Sequence, residues 1–327
     1  MAHLRRRIVA SFTAGLVLLA VPAHAAVTDA QRARRGSGFA AGLQQPNGAI
    51  VAFSPIGSTA DAVLAFVAAD AQASARRDAV GYLRRQVQDG NVNTVGLVAK
   101  VVQASVAAGK DPRAFGGTNL VRWLRDRIKE SGRIGNATVF DQALATLALE
   151  ASGVTPPVSA TDWLLDAQCP VGGWSFDTPY DAGTDDESCF DGTANDFFTA
   201  DSNTSAYAVM ALEYLGRDDY AYPAFPFFVT VRDAVYDGWE YAPGFGTDAN
   251  STALVIQAYL AGGLAIPVNG LDALRALQPD VSAGAWAYSY VGDEPGDPNL
   301  GATLGAVPAI VQVTFPFVPG SAKHGGS

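Results

Sequence analysis

The densest group of side chains able to do chemistry is an acidic segment at residues 176–201 (FDTPYDAGTDDESCFDGTANDFFTAD). Carboxylate oxygens are the ligands that Ca²⁺ prefers, but the segment lacks EF-hand spacing. It can therefore be a calcium site or a solvated acidic loop, and we favour the loop. The calcium interpretation would use Asp181, Asp185, Asp186, Glu187 and Asp191.

Two more carboxylates stand where apolar helices are expected to begin. Asp201 and Asp248 each precede an Ala-rich run, and each is followed two residues later by an asparagine, Asn203 or Asn250. A carboxylate at such a position can act as a general acid, or it can accept hydrogen bonds from the free N–H groups of the first helical turn. We favour capping for both and keep them as the catalytic candidates.

Aromatic residues gather after Gly-containing turns. Trp174, Trp239 and Trp286 are expected to pack over helix ends. Other rings near these turns can pack in the same way, or they can line a mouth that takes an apolar or glycan ligand. The predicted ligand-binding residues are Phe176, Tyr180, Asn203, Tyr241, Phe245, Asn250, Tyr288 and Tyr290.

The elements that position these residues form an internal repeat with a period of roughly 49 residues. Because its Ala-rich helices are apolar nearly all round, we expect them to be buried. Six are predicted, beginning near Ser58, Asn93, Phe140, Asn203, Asn250 and Gly301. Left-handed C-caps are expected at Gly109, Gly153, Gly216 and Gly262.

Helices with one charged face alternate with the apolar ones and are predicted to form an outer layer. They are expected at residues 29–44, 73–88, 119–130, 161–168, 226–236 and 271–278. Turns such as Gln168…Gly173-Trp174 and Gln278…Gly284…Trp286 join an outer helix to its apolar partner. In these turns Gly supplies a positive φ and Gln can hydrogen-bond backbone.

A flat array cannot bury six helices that are apolar all round, whereas a closed double-walled ring can. The prediction is an all-α fold, an α/α toroid of about six inner and six outer helices, in one domain at residues 30–312. An open helical solenoid is the alternative. Residues 313–327 are predicted to be a C-terminal tail.

The turn motifs carry a family resemblance. Gln168…Gly173-Trp174, Gln278…Gly284…Trp286 and the weaker Asp237-Gly238-Trp239 resemble the Gln/Gly/Trp repeat of squalene and oxidosqualene cyclases. The helix openings are similar to those of protein prenyltransferase β-subunits and of the helical domain of cobalamin carriers. The resemblance spans about residues 30–312 and implies the toroid, because its motifs are architectural.

The active sites that these relatives imply are missing from the sequence. A prenyltransferase zinc site needs Asp, Cys and His, but His3 and His24 lie in the predicted signal and His324 in the tail. The Asp-x-Asp-Asp acid motif of hopene-type cyclases and an Asp-Asp-x-x-Asp diphosphate site are also absent. We therefore predict no cofactor other than the calcium considered above.

Residues 1–25 have the pattern of a signal peptide, with Arg5–Arg7, an apolar core and a cleavage site near Ala25. This predicts a secreted or extracytoplasmic protein with no membrane span in the mature chain. Without the signal, 19 basic residues face 32 acidic ones, a net charge near −13. So acidic a chain is repelled by nucleic acid, which excludes it as a partner.

Cys169 and Cys189 are the only cysteines in the chain. In an exported protein such a pair predicts a disulfide. Closing a loop of about 20 residues would stabilise the fold by roughly 3 kcal/mol.

Three functions follow from these patterns. The first is a binding or scaffold protein without its relatives' catalytic motifs, holding a small apolar molecule or a cell-surface component. The second is a divergent terpene or squalene cyclase-like enzyme that acts on an isoprenoid with aspartic acids. The third is a carbohydrate-active helical-barrel enzyme, which would need two carboxylates across a cleft. We place the binding protein first because the known active-site motifs are missing.

Overall fold

The computed structural model describes residues 27–177 and 199–317, and its regular structure is mostly helical. The helices are α1 (Asp29–Gly42), α2 (Pro55–Ala68), α3 (Ala73–Gln88), α4 (Val95–Ala107), α5 (Leu120–Arg125), α6 (Val139–Ala151), α7 (Val158–Asp166), α8 (Ser202–Tyr214), α9 (Asp218–Ala221), α10 (Ala224–Thr230), α11 (Ala249–Ala261), α12 (Gly270–Ala276) and α13 (Leu300–Ile310). The short strands are β1 (Trp174–Ser175), β2 (Ala200–Asp201), β3 (Trp286–Ala287), β4 (Tyr290–Val291), β5 (Glu294–Pro295) and β6 (Pro298–Asn299).

The six predicted apolar helices are α2, α4, α6, α8, α11 and α13, and each starts at a polar N-cap. A side-chain oxygen of the cap accepts a hydrogen bond from the backbone N–H three residues on, which satisfies one free donor of the first turn. The caps are Ser54, Thr94, Thr138, Asp201, Asp248 and Asn299. The six helices therefore start within three residues of the predicted positions, and each has a polar cap.

A second polar side chain, one turn into the helix, fixes the register between five inner helices and the turns before them. Its oxygen accepts a hydrogen bond from a buried backbone N–H of the turn. The acceptors are Thr59 for Ile50, Gln142 for Ile134, Ser205 for Trp174, Thr252 for Trp239 and Thr303 for Trp286, at 2.8–3.0 Å. In α4 the equivalent residue is Val98. These contacts tie each of the five helices to the turn that precedes it.

The inner helices form a closed ring. Each packs against the next in chain order, and α13 packs against α2. All six inner helices carry a fully buried alanine at the same position of the repeat, and this small side chain lets neighbouring backbones approach closely. These residues are Ala65, Ala104, Ala148, Ala211, Ala258 and Ala309. The outer helices pack around this ring, with α1 against α13. The chain is an α/α toroid, as predicted, and not an open arc.

The turn motifs pin outer helices to inner ones. The indole N–H groups of Trp174, Trp239 and Trp286 donate to backbone carbonyls of the preceding outer segments at 2.7–3.0 Å, and all three rings are fully buried. The Gln168 amide donates to Gly172 O at 2.7 Å and to Tyr220 O at 3.0 Å. It therefore joins one outer segment to the next.

Some predicted boundaries were wrong. Helix α5 ends at Arg125, not near residue 130, because residues 128–134 turn back and Lys129 N donates to Arg133 O. The outer segment expected at residues 226–236 is the helix pair α9 and α10, which ends at Thr230. Beside α11, the left-handed residue is Gly263 and not Gly262, whose φ is −72°.

The loops that precede the inner helices lie on one side of the ring, which we call the mouth. Two short strand pairs close the loops of the later repeats: β1 pairs with β2, and β3 with β6. In the chain between β3 and β6, β4 pairs with β5 in a hairpin. Within the described residues, no helix has the length and apolarity needed to cross a membrane.

Candidate functional site

A cavity of about 230 Å³ lies in the centre of the ring at the mouth, and all six inner helices line it. A second space of about 220 Å³ adjoins it and shares Asp61 and Lys100. The lining follows the repeat in two layers. The outer layer is Gly57, Gly96, Phe140, Asn203, Asn250 and Gly301, and the inner layer is Asp61, Lys100, Leu144, Tyr207, Leu254 and Gly305.

An ion pair occupies one wall of this cavity. Lys100 Nζ on α4 lies 2.7 and 2.9 Å from the two carboxylate oxygens of Asp61 on α2. Their side chains are 23% and 35% exposed, so both charges are largely withdrawn from water. Charged side chains on otherwise apolar central helices are costly unless they are paired, and here each satisfies the other at the wall of the cavity.

Asp141 is a third charged group, and it lines the adjoining space that shares Asp61 and Lys100 with the central cavity. It lies in the first turn of α6 and packs against Gly96 of α4, where a Cβ atom would clash with its carboxylate. Burial raises the pKa of Asp141 to about 6; the Lys100 ammonium opposes the rise and the Asp177 carboxylate adds to it. Asp141 can therefore hold or release a proton near neutral pH.

The opposite wall is polar but uncharged. Asn203 on α8 and Asn250 on α11 stand in the outer layer, and Gln257 lies deeper on α11. Such amides can bind hydroxyl groups through both donor and acceptor atoms.

Aromatic rings complete the lining. Phe53, on the loop before α2, is 78% exposed and borders both parts of the cavity. Phe140 packs edge-on against Tyr207 at 5.2 Å, and Tyr207 packs against Phe315 at 5.5 Å. Phe315 lies in the segment predicted as a tail, but here its ring is buried because it fills the base of the cavity.

The predicted ligand-binding residues fall into two groups. Asn203 and Asn250 line the cavity, and Phe176 stacks on the lining ring of Phe140 at 5.6 Å. The other described residues lie on the mouth loops outside the lining: Tyr241 with Phe245, Tyr288, and Tyr290, which stacks on Tyr236 at 3.8 Å. Tyr180 lies outside the described residues.

The catalytic candidates Asp201 and Asp248 serve as helix caps. Asp201 accepts from Thr204 N at 2.7 Å, and Asp248 accepts from Ser251 N at 2.8 Å. Burial raises the pKa of Asp201 to about 7 and that of Asp248 to about 6. Neither carboxylate lines the central cavity or the adjoining space, so the geometry favours the capping role.

The predicted calcium ligands belong to the part of the acidic segment that the structure does not describe. Asp181, Asp185, Asp186, Glu187 and Asp191 lie outside the described residues, as does Cys189. Cys169 is buried at the base of this segment, and its disulfide with Cys189 stays a prediction. Among the residues that the structure describes, His, Cys, Asp and Glu form no cluster able to hold a metal.

Asp61, Lys100 and Asp141 were missed by the sequence reasoning. The available signal was the charge itself, since Asp61 and Lys100 interrupt helices that are otherwise apolar. Once the repeats are aligned on the register contacts, Asp61 and Lys100 occupy the same position in successive inner helices. Asp141 follows Phe140, and this pair of residues was considered only as the predicted start of a helix.

Comparison with known proteins places the fold but no family. No protein-family model matches the chain, and no curated protein does. Among solved structures, the GH76A α-1,6-mannanase from Salegentibacter is 13% identical with a TM-score of 0.59, covering 86% of this chain and 98% of that one. The unsaturated glucuronyl hydrolase from Bacillus sp. GL1 is 14% identical with a TM-score of 0.57, covering 89% and 100%.

The same fold carries different chemistry in another match. A type II terpene cyclase from Scytonema, solved with merosterolic acid A, is 12% identical with a TM-score of 0.59 and covers 86% of this chain and 96% of that one. At such identities the matches establish the α/α toroid, which the terpene cyclase shares with the two hydrolases. The function has to be argued from the cavity.

Proposed function

We propose that this protein is an extracytoplasmic enzyme that hydrolyses a glycosidic bond of a carbohydrate bound in the central cavity. The observation that carries the proposal is the charged wall of Asp61, Lys100 and Asp141 facing the amides of Asn203 and Asn250. Hydroxyl-rich ligands match such a lining. The toroid hydrolases described above make the same fold compatible with this chemistry.

Asp141 is the proton donor in this proposal. With a pKa of about 6, it is protonated in mildly acidic solution and can transfer its proton to the oxygen of the scissile bond as the C–O bond breaks. Water then adds to the anomeric carbon and returns a proton to the Asp141 carboxylate, which balances the hydrolysis.

Asp61 supplies the second carboxylate. Lys100 Nζ donates to both of its oxygens, at 2.7 and 2.9 Å. An ionised carboxylate stabilises the positive charge that develops on the sugar ring. The two aspartates thus occupy different electrostatic environments in one cavity, the arrangement by which carboxylates divide the roles of acid and anion.

The same groups weigh against the other functions. An apolar ligand would offer no hydrogen bond to Asp61, Lys100 or Asp141. A binding protein for a polar ligand is the second candidate, since the Asp61–Lys100 pair can also serve recognition alone.

Export belongs to the proposal as well. Residues 1–25 would be removed as a signal peptide, and Cys169 would pair with Cys189 in the oxidising space outside the cytoplasm. Intact-mass measurement of the secreted chain, with and without reductant, tests the cleavage site and the disulfide together.

The function is tested by incubating the protein with a panel of oligosaccharides and measuring new reducing ends. We expect cleavage of at least one member, and a loss of about 100-fold or more in kcat for Asp141→Asn with binding retained. Asp126→Asn, on the exposed surface of the outer layer, is the matched control. Glycan binding without cleavage would instead establish the binding protein, and full activity of Asp141→Asn would remove the assigned acid.

A further inference from the structure

The deep part of the cavity contains a polar group that the proposed chemistry does not use. Gln257 is 1% exposed and lines the cavity on α11. Its Nε2 donates to Ala253 O at 3.3 Å, while its Oε1 has no hydrogen-bond partner. Because a carbonyl only accepts, the Ala253 contact sets the orientation of the amide and leaves Oε1 as an open acceptor.

Asn203, on the neighbouring helix α8, presents a second acceptor of the same kind. Its Oδ1 is buried, lacks a partner and borders the same cavity. Buried acceptors are normally satisfied, so two open ones in one cavity indicate a missing donor. The hydroxyl groups of a sugar are such donors.

The cavity is a pocket with one open end. Three residues beyond the inner lining layer, all six inner helices carry buried side chains: Leu64, Gln103, Leu147, Met210, Gln257 and Pro308. Leu64, Gln257 and Pro308 also line the cavity, so we take this layer as its floor. A chain that enters from the mouth therefore cannot pass through.

Room for a ligand is left on the α13 side. Gly301 and Gly305 occupy the two lining positions of that helix, where every added Cβ would narrow the space. A Cβ at Gly305 would lie 3.0 Å from Asn250 Oδ1. The cavity of about 230 Å³ is smaller than drug-sized pockets of roughly 300–1,000 Å³, which suits a ligand of one ring.

We propose that this pocket is a subsite for the terminal sugar of a glycan, whose hydroxyl groups donate to Gln257 Oε1 in its deep part and to Asn203 Oδ1 nearer the mouth. The enzyme consequently works from a chain end and releases one small product. The cleavage part of this inference rests on the proposed function, whereas the binding of a single sugar does not.

Binding is tested by calorimetry of the purified protein with glucose, mannose, galactose, rhamnose, N-acetylglucosamine and glucuronate. At about 20 mM ligand, a site with a Kd of about 1 mM is nearly saturated. We expect at least one sugar to bind the wild type, Gln257→Met to weaken it about 10-fold, and Gly305→Leu to abolish it. Gly38→Ala, on helix α1 and outside the cavity, is the matched control.

Gly305→Leu separates this proposal from a folding defect, because replacing a helical glycine favours the helix and should preserve the melting temperature. Absence of binding by every sugar, or unchanged affinity in Gly305→Leu, would overturn the subsite. Once a substrate is found, a single small product from the first time point supports action from the chain end, and a ladder of fragments refutes it. Sugar binding that Gly305→Leu removes, without cleavage of any glycan, would leave the subsite standing and reject the hydrolase.

Discussion

Arg275 on α12 and Asp29 at the start of α1 form a two-point ion pair across 246 positions of sequence. The Nη2–Oδ2 and Nε–Oδ1 distances are 2.6 and 2.9 Å. Beside it, Arg32 Nη1 donates to Gln278 Oε1 at 3.1 Å. These contacts join the last outer helix to the first and so close the outer layer of the ring.

The closure pair should contribute measurably to stability. The side chains of Arg275 and Asp29 are 33% and 24% exposed, so water screens their attraction only in part. We therefore expect Arg275→Met to lower the free energy of unfolding by about 1 kcal/mol. Arg122→Met, which removes an exposed pair with Asp126, should change it by less than about 0.5 kcal/mol. Denaturant titration compares the two, and equal losses would contradict a special role for the closure.

Gly172 should tolerate no side chain. Its φ is +92°, and a Cβ would clash with the carbonyl of Pro223 in the next outer segment. We expect Gly172→Ala to cost about 3 kcal/mol, since strain and steric overlap add. Gly153 also has a positive φ, +72°, but has open space around it, so Gly153→Ala should cost only about 1 kcal/mol. Similar losses in the two variants would show that the close approach does not matter.

Glu150 is a buried carboxyl whose two oxygens have no hydrogen-bond partner. Burial raises its pKa from 4.5 to about 9. The unfolded chain therefore releases this proton at a lower pH than the folded protein, and stability falls as pH rises between these two values. Glu150→Gln should stabilise the protein by about 1–3 kcal/mol at pH 8 and have little effect near pH 4.5.

Unfolding of Glu150→Gln and of the wild type at both pH values checks this prediction. Glu130→Gln, an exposed substitution on the outer layer, should show no such pH dependence. A loss of stability in Glu150→Gln at pH 8 would mean that the carboxyl has a role as an anion.

Removing each of two charges beside Asp141 should shift the pH profile of the proposed hydrolase in opposite directions. If Asp141 must be protonated, kcat/KM falls as pH rises above about 6. Lys100 lowers the pKa of Asp141 and Asp177 raises it. Lys100→Met should therefore move the alkaline limb to higher pH, and Asp177→Asn should move it to lower pH. Shifts in the same direction in both variants, measured as kcat/KM against pH, would rule out Asp141 as the group that titrates.

Much of the architecture follows from local sequence. Short-range chemistry determines where the inner helices start, because a cap such as Thr94 or Asn299 bonds an N–H three residues away. Part of the turn chemistry is also local: the Trp174 indole donates to Leu164 O, ten residues earlier on α7. Uniform apolarity then indicates that these helices are buried, and a closed ring is the arrangement that buries all six.

The functional centre was decided only by the tertiary structure. A helix that is apolar on every side gives no periodic signal for the face that points to the middle, so Asp61 and Lys100 could not be assigned to a cavity. Asp141 acquires a raised pKa because the fold buries it against Gly96 of another helix, and Lys100 opposes that rise. Local sequence determined the caps, the turns and the burial of each helix, because those depend on neighbours in the chain; ring closure determined which side chains meet, because it brings together residues as far apart as Asp29 and Arg275.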